Sequence, residues 1–307
     1  MKIFNPTLKK DLVEELQYCE SRYFTFDKPV PFKTGLTLYP VSIQDYEDFM
    51  IASSCLLLNK NETTEGLMMS HLDYLISKME DEKMGRIMSS YFSKLCEIVF
   101  HIQNGMRCKD CGQVISFQEF MSILQKEKEN ACCPHCGKRN MEEVILYKVN
   151  PKTKKKEWVI MGVEINSKDF DRFRQIVMYQ NLPDYKDDSW VLSELREDQR
   201  LKSELLMKKN GGAVSATLEK KMVCVSAKSC YKMEEIYNMS MRKFIMLLAS
   251  IDDAMTYECD RIGLMSGLVT SKTPLEHWIY KKDKSLYDTA VDAEVYKGQI
   301  EKANGGA

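Results

Sequence analysis

Two Cys-x-x-Cys pairs are the residues of this chain whose type and spacing point to chemistry. Cys108 and Cys111 form the first pair, Cys133 and Cys136 the second, and residues 112–132, 21 in number, separate them. Two residues between cysteines let both sulfurs of one tight turn face a single ion. Thiolates held about 2.3 Å from a tetrahedral Zn²⁺ make a closed structural site. Gly112 follows Cys111 and Gly137 follows Cys136. A glycine can take positive φ at such a place, which turns backbone N–H groups toward the sulfurs. Each pair therefore predicts a zinc knuckle. With all four positions filled by protein there is no place for an activated water, so the expected metal is structural and not catalytic.

Other uses of these thiols fit less well. A thioredoxin-like redox pair needs a βαβ setting that the flanking sequence does not supply. An iron–sulfur cluster takes the same ligands but finds no other redox feature here. Cys132 lies beside Cys133, and His135 falls inside the second turn. Cys133 is the expected third ligand because Cys132 would put three residues before Cys136; an exchange between the two stays open.

The elements that position this module read as helical on both sides. Before it come helix patterns at 8–19, 44–58, 67–79 and 85–102, a Pro-containing extended run at 24–32 and a strand at 35–41. Ser42 with Asp45 three residues on reads as a capping box opening the second helix. Within the module, Ser116 with Glu119 starts a short helix to about 126, and two strands, 143–149 and 157–165, form a hairpin. Asn166 caps a helix that runs to about 179. A charged helix at 193–209 leads to Asn210-Gly211-Gly212, the best linker candidate. Helices follow at 217–226, 232–237 and 240–264, the residues Met239, Phe244, Met246, Leu247 and Leu248 form an apolar run with helical spacing, and the end from about 285 is expected to fray. The fold class expected is mainly α (α+β): a helical body with an inserted four-Cys zinc-ribbon-like module and a β-hairpin. The parts are 1–105, 106–165 and 166–307, the first and third forming either one body or two.

Composition sets the class. The 44% hydrophobic and 29% charged residues are those of a soluble globular protein, and a formal net charge of -1 argues against a polyanion-binding protein by global charge. Eleven cysteines and an N-terminus, MKIFNPTLKKDLVEEL, with charges where a secretory signal needs an apolar core, point to a reducing cytoplasm. Cys19, Cys55, Cys96, Cys132, Cys224, Cys230 and Cys259 are scattered singly, as buried small hydrophobes would be. No apolar run is long enough for a membrane span, and the 20 methionines read as helical core filling.

The remaining polar clusters carry less. His71 and His101 lie in helical patterns with no acidic or cysteine partner at metal spacing, so both read as structural or surface residues. The carboxylate-rich loop 180–189 lacks the ordered oxygen ligands of a calcium loop. Lys152, Lys154, Lys155 and Lys156 sit at the hairpin turn without interleaved aromatics, which favours a solvated tip over a nucleic-acid contact.

Several stretches taken together, LTLYPVSIQDYEDF (36–49), the zinc-knuckle insertion, YQNLPDY (179–185), MSGLV (265–269) and His277-Trp278, resemble a family of tailed-phage proteins described as baseplate or tail-assembly proteins. Some members are likened to the baseplate-hub assembly proteins of contractile-tailed phages. The resemblance spans about 36 to 280, and only Cys108, Cys111, Cys133 and Cys136 carry over as a site. It implies a protein that works in the host cytoplasm during assembly, either as a baseplate component or as a chaperone-like factor. Its partners would be other phage tail or baseplate proteins, with an oligomer left open. The absence of a catalytic constellation or phosphate-binding glycine loop in the sequence agrees with a non-enzymatic role through surfaces. The alternative is a zinc-ribbon nucleic-acid-binding regulator using Arg107, Lys109, Lys138, Arg139 and the 152–156 lysines on phosphates.

Overall fold

Alternating apolar positions and capped helical repeats give a chain that is mainly α-helical, with sheets of two or three strands. The computed structural model describes residues 8–127, 132–149, 156–187, 197–198, 200–202, 205, 216–267, 270 and 275–280. The expected charged helix at 193–209, the lysine turn at 150–155, the 210–212 linker and the tail from 285 lie wholly or largely outside them. Among the described residues no helix is long and apolar enough to cross a membrane.

Two compact units divide the chain, residues 1–248 and 249–307. In the first, α1 (Lys10–Arg22) is followed by a hairpin of β1 (Val30–Lys33) and β2 (Leu36–Leu38), then α2 (Tyr46–Ala52), α3 (Thr64–Met68), α4 (His71–Met79) and α5 (Gly85–Phe100). The four-Cys segment follows with β3 (Met106–Cys108), β4 (Val114–Ile115), α6 (Phe117–Glu127) and β5 (Met141–Glu143), its sheet ordered β4-β3-β5. A second three-stranded antiparallel sheet, β6 (Ile145–Val149), β7 (Lys156–Ile160) and β8 (Val163–Ile165), leads into α7 (Ser167–Asn181). After it come α8 (Leu218–Lys228), α9 (Met233–Tyr237) and α10 (Met241–Met265), within which the unit boundary falls. In the second unit, Tyr257 and His277 bring their rings to 4.8 Å.

Helix α7 holds the first unit together. Asn166 and Asp169 close a reciprocal capping box at its start, as the sequence predicts. From Phe173 to Asn181 every residue is buried, so this is a core helix and not an amphipathic surface one. Within the core, Asn181 Oδ1 accepts from the Val41 N–H at 2.8 Å, and the Tyr179 backbone carbonyl accepts from Arg242 at 2.7 Å. Phe173 stacks on Phe100 at 5.5 Å and meets Phe32 at 5.9 Å edge-on, while Phe92 of α5 lies 4.4 Å from Trp158 of β7. The hairpin sheet is thus tied to the helical core by an aromatic cluster.

Four local expectations are corrected by the structure. Ser42 does not cap a backbone N–H; its hydroxyl donates to Asp45 Oδ2 at 2.7 Å. The chain there is pinned from outside, Ile43 N–H to the Met239 carbonyl at 2.9 Å and Met241 N–H to the Val41 carbonyl at 2.8 Å, so a 3₁₀ turn opens α2 instead. The expected helix 67–79 is two helices, because Ser70 takes extended φ/ψ and caps α4 through the Asp73 N–H. The run 24–32 is not extended throughout: a 3₁₀ turn covers Phe24–Phe26, and Asp27, at φ 52, accepts from the Ser240 hydroxyl at 2.5 Å. The second hairpin strand is two strands, parted by Met161 (φ 52) and Gly162 (φ 80) in a two-residue turn of the type whose twist suits antiparallel neighbours.

Candidate metal centre

The two cysteine pairs lie on two turns built alike. In the first, the Cys108 N–H donates to the Gln113 carbonyl and the Gly112 N–H to the Cys108 carbonyl, both at 2.8 Å; in the second, the Cys133 N–H donates to the Lys138 carbonyl and the Gly137 N–H to the Cys133 carbonyl, both at 2.8 Å. Gly112 and Gly137 take φ of 75° and 70°, and open space surrounds the place where each Cβ would stand. Backbone conformation alone, not crowding, asks for glycine there. The Lys109 N–H donates to the Asn140 carbonyl at 2.9 Å and Lys138 reaches Asp110 at 3.4 Å, which ties one turn to the other.

Those turns bring the four sulfurs to within 4.8 Å of one another. Cys108 Sγ stands 3.5 Å from Cys136 Sγ, and Cys111 Sγ 3.7 Å from Cys133 Sγ. Sulfurs about 2.3 Å from a tetrahedral ion stand about 3.8 Å apart, whereas a disulfide would close them to about 2 Å. The cluster thus fits a metal ion and not a pair of disulfides. Cys108 and Cys133 are buried, Cys136 is half-buried and Cys111 exposed. Cys132 is outside the cluster, so the structure assembles the four cysteines that spacing selects.

Electrostatics within the cluster resist four anions side by side. Backbone N–H groups, that of Cys111 above all and then that of Asp110, hold the Cys108 thiol down at about 7, with the neighbouring thiols adding to them. At Cys136 the Lys138 N–H pulls the same way. Burial and the sulfurs of Cys108, Cys111 and Cys133 prevail, and the thiol rises to about 12. At Cys111 the Gln113 N–H and Cys136 pull downward, but partial loss of solvation and the sulfurs of Cys133 and Cys108 outweigh them, so this thiol is also raised. A divalent cation among them reverses that repulsion.

Arg107 joins the cysteine sheet to the hairpin sheet, donating to the Met161 carbonyl at 2.7 Å and standing 3.7 Å from Glu142. Val144 links the same two sheets through the Gly105 carbonyl at 2.9 Å and the Met161 N–H at 2.8 Å. The helix expected from Ser116 forms as α6, with Ser116 Oγ accepting the Glu119 N–H at 3.2 Å. Its apolar residues Phe117, Phe120, Met121 and Leu124 recur at helical spacing, yet none is buried, and Met121 is 53% exposed.

Other candidate residues find different places. His71 has the acidic partner that sequence spacing hides: its Nδ1 lies 3.0 Å from Asp171, 100 residues away. His101 ends α5 in the left-handed region and stacks on Tyr39 at 4.1 Å. Cys19, Cys55 and Cys96 are buried as expected of small hydrophobes, but Cys230 and Cys259 are exposed. Met239 and Phe244 are buried and Met246 is exposed, so the apolar run at 239–248 is core on one face only. Among the 152–156 lysines the structure describes Lys156, which pairs with Glu80 at 2.6 Å. From the loop 180–189 it buries Asp187 against Arg174 at 3.2 Å. No protein-family model, curated protein or solved structure matches the chain.

Proposed function

We propose that the four thiolates of Cys108, Cys111, Cys133 and Cys136 hold one structural Zn²⁺, and that the module so braced docks on other proteins. The reading that goes with it is a non-enzymatic tail or baseplate assembly protein of a phage, acting through protein contacts. The observation that carries the docking role is α6: an amphipathic helix set between two metal-ready turns whose apolar stripe stays half open to water. A monomer that needed α6 only for its own core would bury that stripe. Thiolate-bound zinc lets a segment with few buried apolar residues stay rigid enough to present it.

A nucleic-acid-binding regulator is the second reading, since Arg107, Lys109, Lys138 and Arg139 crowd the same module. Lys109 pairs with Glu142 at 3.0 Å and Lys138 with Asp110 at 3.4 Å, which leaves less positive field for phosphates.

Reconstitution with purified tail and baseplate proteins tests the choice. Met121→Glu, at an exposed position, should leave the fold within about 0.5 kcal/mol of wild type and abolish complex formation by size-exclusion chromatography. Equal complex formation by wild type and variant would remove α6 from the interface. Binding to mixed DNA and RNA pools that falls steeply with salt would promote the second reading.

A further inference from the structure

Away from the cysteine cluster, α1, the turn at Lys60–Glu62, α4 and α7 line a half-open cavity of about 550 Å³. That is the size of a small-molecule site. Leu8 and Leu12 give it an apolar side. Five cationic side chains line it against three carboxylates, and a fourth carboxylate, Asp187, lies behind Arg174. The small positive excess suits one carboxylate and falls short of a polyphosphate. Arg172 is taken up by Glu15 at 2.5 Å, while Lys168 makes no ion pair among the described residues.

The far wall is polar at a depth where packing alone would place carbon. Arg174 and Asp187 form an ion pair with side chains 3% and 1% exposed, and Gln175, fully buried, donates to the same carboxylate at 2.5 Å. Such a buried pair adds little to stability over apolar residues of the same volume. Two atoms of this wall, Gln175 Oε1 and His71 Nε2, have no hydrogen-bond partner among the described residues. Both are acceptors: the Gln175 amide nitrogen is used on Asp187, and His71 gives its Nδ1–H to Asp171. Burial holds His71 below its ordinary 6.5, and Arg174 and Lys60 add to that against the pull of Asp171, so the ring is neutral. Buried acceptors without partners are rare in a wall that serves only to pack.

We propose that this cavity binds a small α-hydroxy or α-amino acid. Its carboxylate is held on the Lys168 side, its hydroxyl or ammonium supplies the donor that Gln175 and His71 lack, and its apolar side chain lies against Leu8 and Leu12. This site is independent of the metal and of the docking role of α6.

Isothermal titration calorimetry on the full chain at low salt, with four probes of one carbon skeleton, tests the assignment. The probes are leucine, its hydroxy analogue leucic acid, isocaproic acid without the donor, and leucinamide without the carboxylate. Saturable binding of leucine or leucic acid is expected, with isocaproic acid and leucinamide weaker by roughly tenfold or more. Lys168→Glu, which places an acid favourably in the first turn of α7, should weaken the bound acid by about tenfold with the circular dichroism unchanged. Leu12→Trp, on the half-buried face of α1, should obstruct the apolar side of the cavity and abolish binding. No saturable binding of either acid at millimolar concentration overturns the proposal, as does binding indifferent to both variants. Isocaproic acid binding as tightly as leucic acid overturns the role given to the two acceptors.

Discussion

Adjacent thiols at 132 and 133 differ because only one of them sits in the hydrogen-bonded turn. The Cys133 N–H and carbonyl bond to Lys138 and Gly137, as those of Cys108 bond to Gln113 and Gly112, and this aims Cys133 at the other sulfurs while Cys132 lies outside the cluster. Native mass spectrometry of protein loaded with zinc should therefore find one ion per chain in Cys132→Ser and none retained in Cys133→Ser. The reverse result would move the third ligand. His71 gives a pH prediction at the same scale. Its folded pKa is below 6.5, chiefly through burial, with Asp171 opposing and Arg174 and Lys60 reinforcing. The unfolded chain thus takes up the proton first as pH falls, so the contribution of the neutral ring is whole above 6.5 and is lost as pH falls toward the folded value. Urea titrations should show wild type losing stability more steeply than His71→Gln on acidification below that point, and parallel slopes would contradict this.

Elements are joined mainly through rings. Trp158 of β7 lies against Phe92 of α5 and edge-on to Tyr147 of β6 at 5.6 Å, so one side chain couples the hairpin sheet to the helices. Its buried indole N–H has no hydrogen-bond partner among the described residues. Trp158→Ala should cost about 3–5 kcal/mol through the cavity it leaves, whereas Trp158→Phe should cost much less because the lost N–H was unmatched. Equal losses in denaturant midpoints would mean the indole nitrogen contributes after all. The split of the 67–79 region into α3 and α4 belongs to this scale too. Ser70 caps α4 and its hydroxyl also stands 3.3 Å from that of Ser167, which places the starts of α4 and α7 side by side.

For the whole molecule, the cysteine segment and the hairpin sheet have different sources of stability. The first has Cys108, Ile115, Cys133 and Val144 for a core, and the second shares the aromatic cluster of α5 and α7. Chelation, or Cys108→Ser, should raise hydrogen exchange across 106–143 and leave 145–165, α5 and α7 protected. Exchange unchanged at 106–143 would show that the segment stands without metal. Exchange raised through α7 would show that the metal holds the whole first unit.

The cysteine cluster was legible in the sequence because its ligands are local: two residues and a glycine define each turn, and only the meeting of the two turns is tertiary. The same holds for the α7 cap and for α6, whose signals lie within one helical turn. What the tertiary structure decided are contacts with no local signature. Ser42 lost its cap to a chain pinned by Met239 and Met241, Asp27 was drawn into the left-handed region beside Ser240, and His71 met Asp171 across 100 residues. Periodicity can say which residues will be buried, but not which buried polar group will face which. That pairing is set when α7 enters the core with Arg174, Gln175 and Asn181 already on it, and other parts of the chain bring Asp187 to the first two and the Val41 N–H to the third.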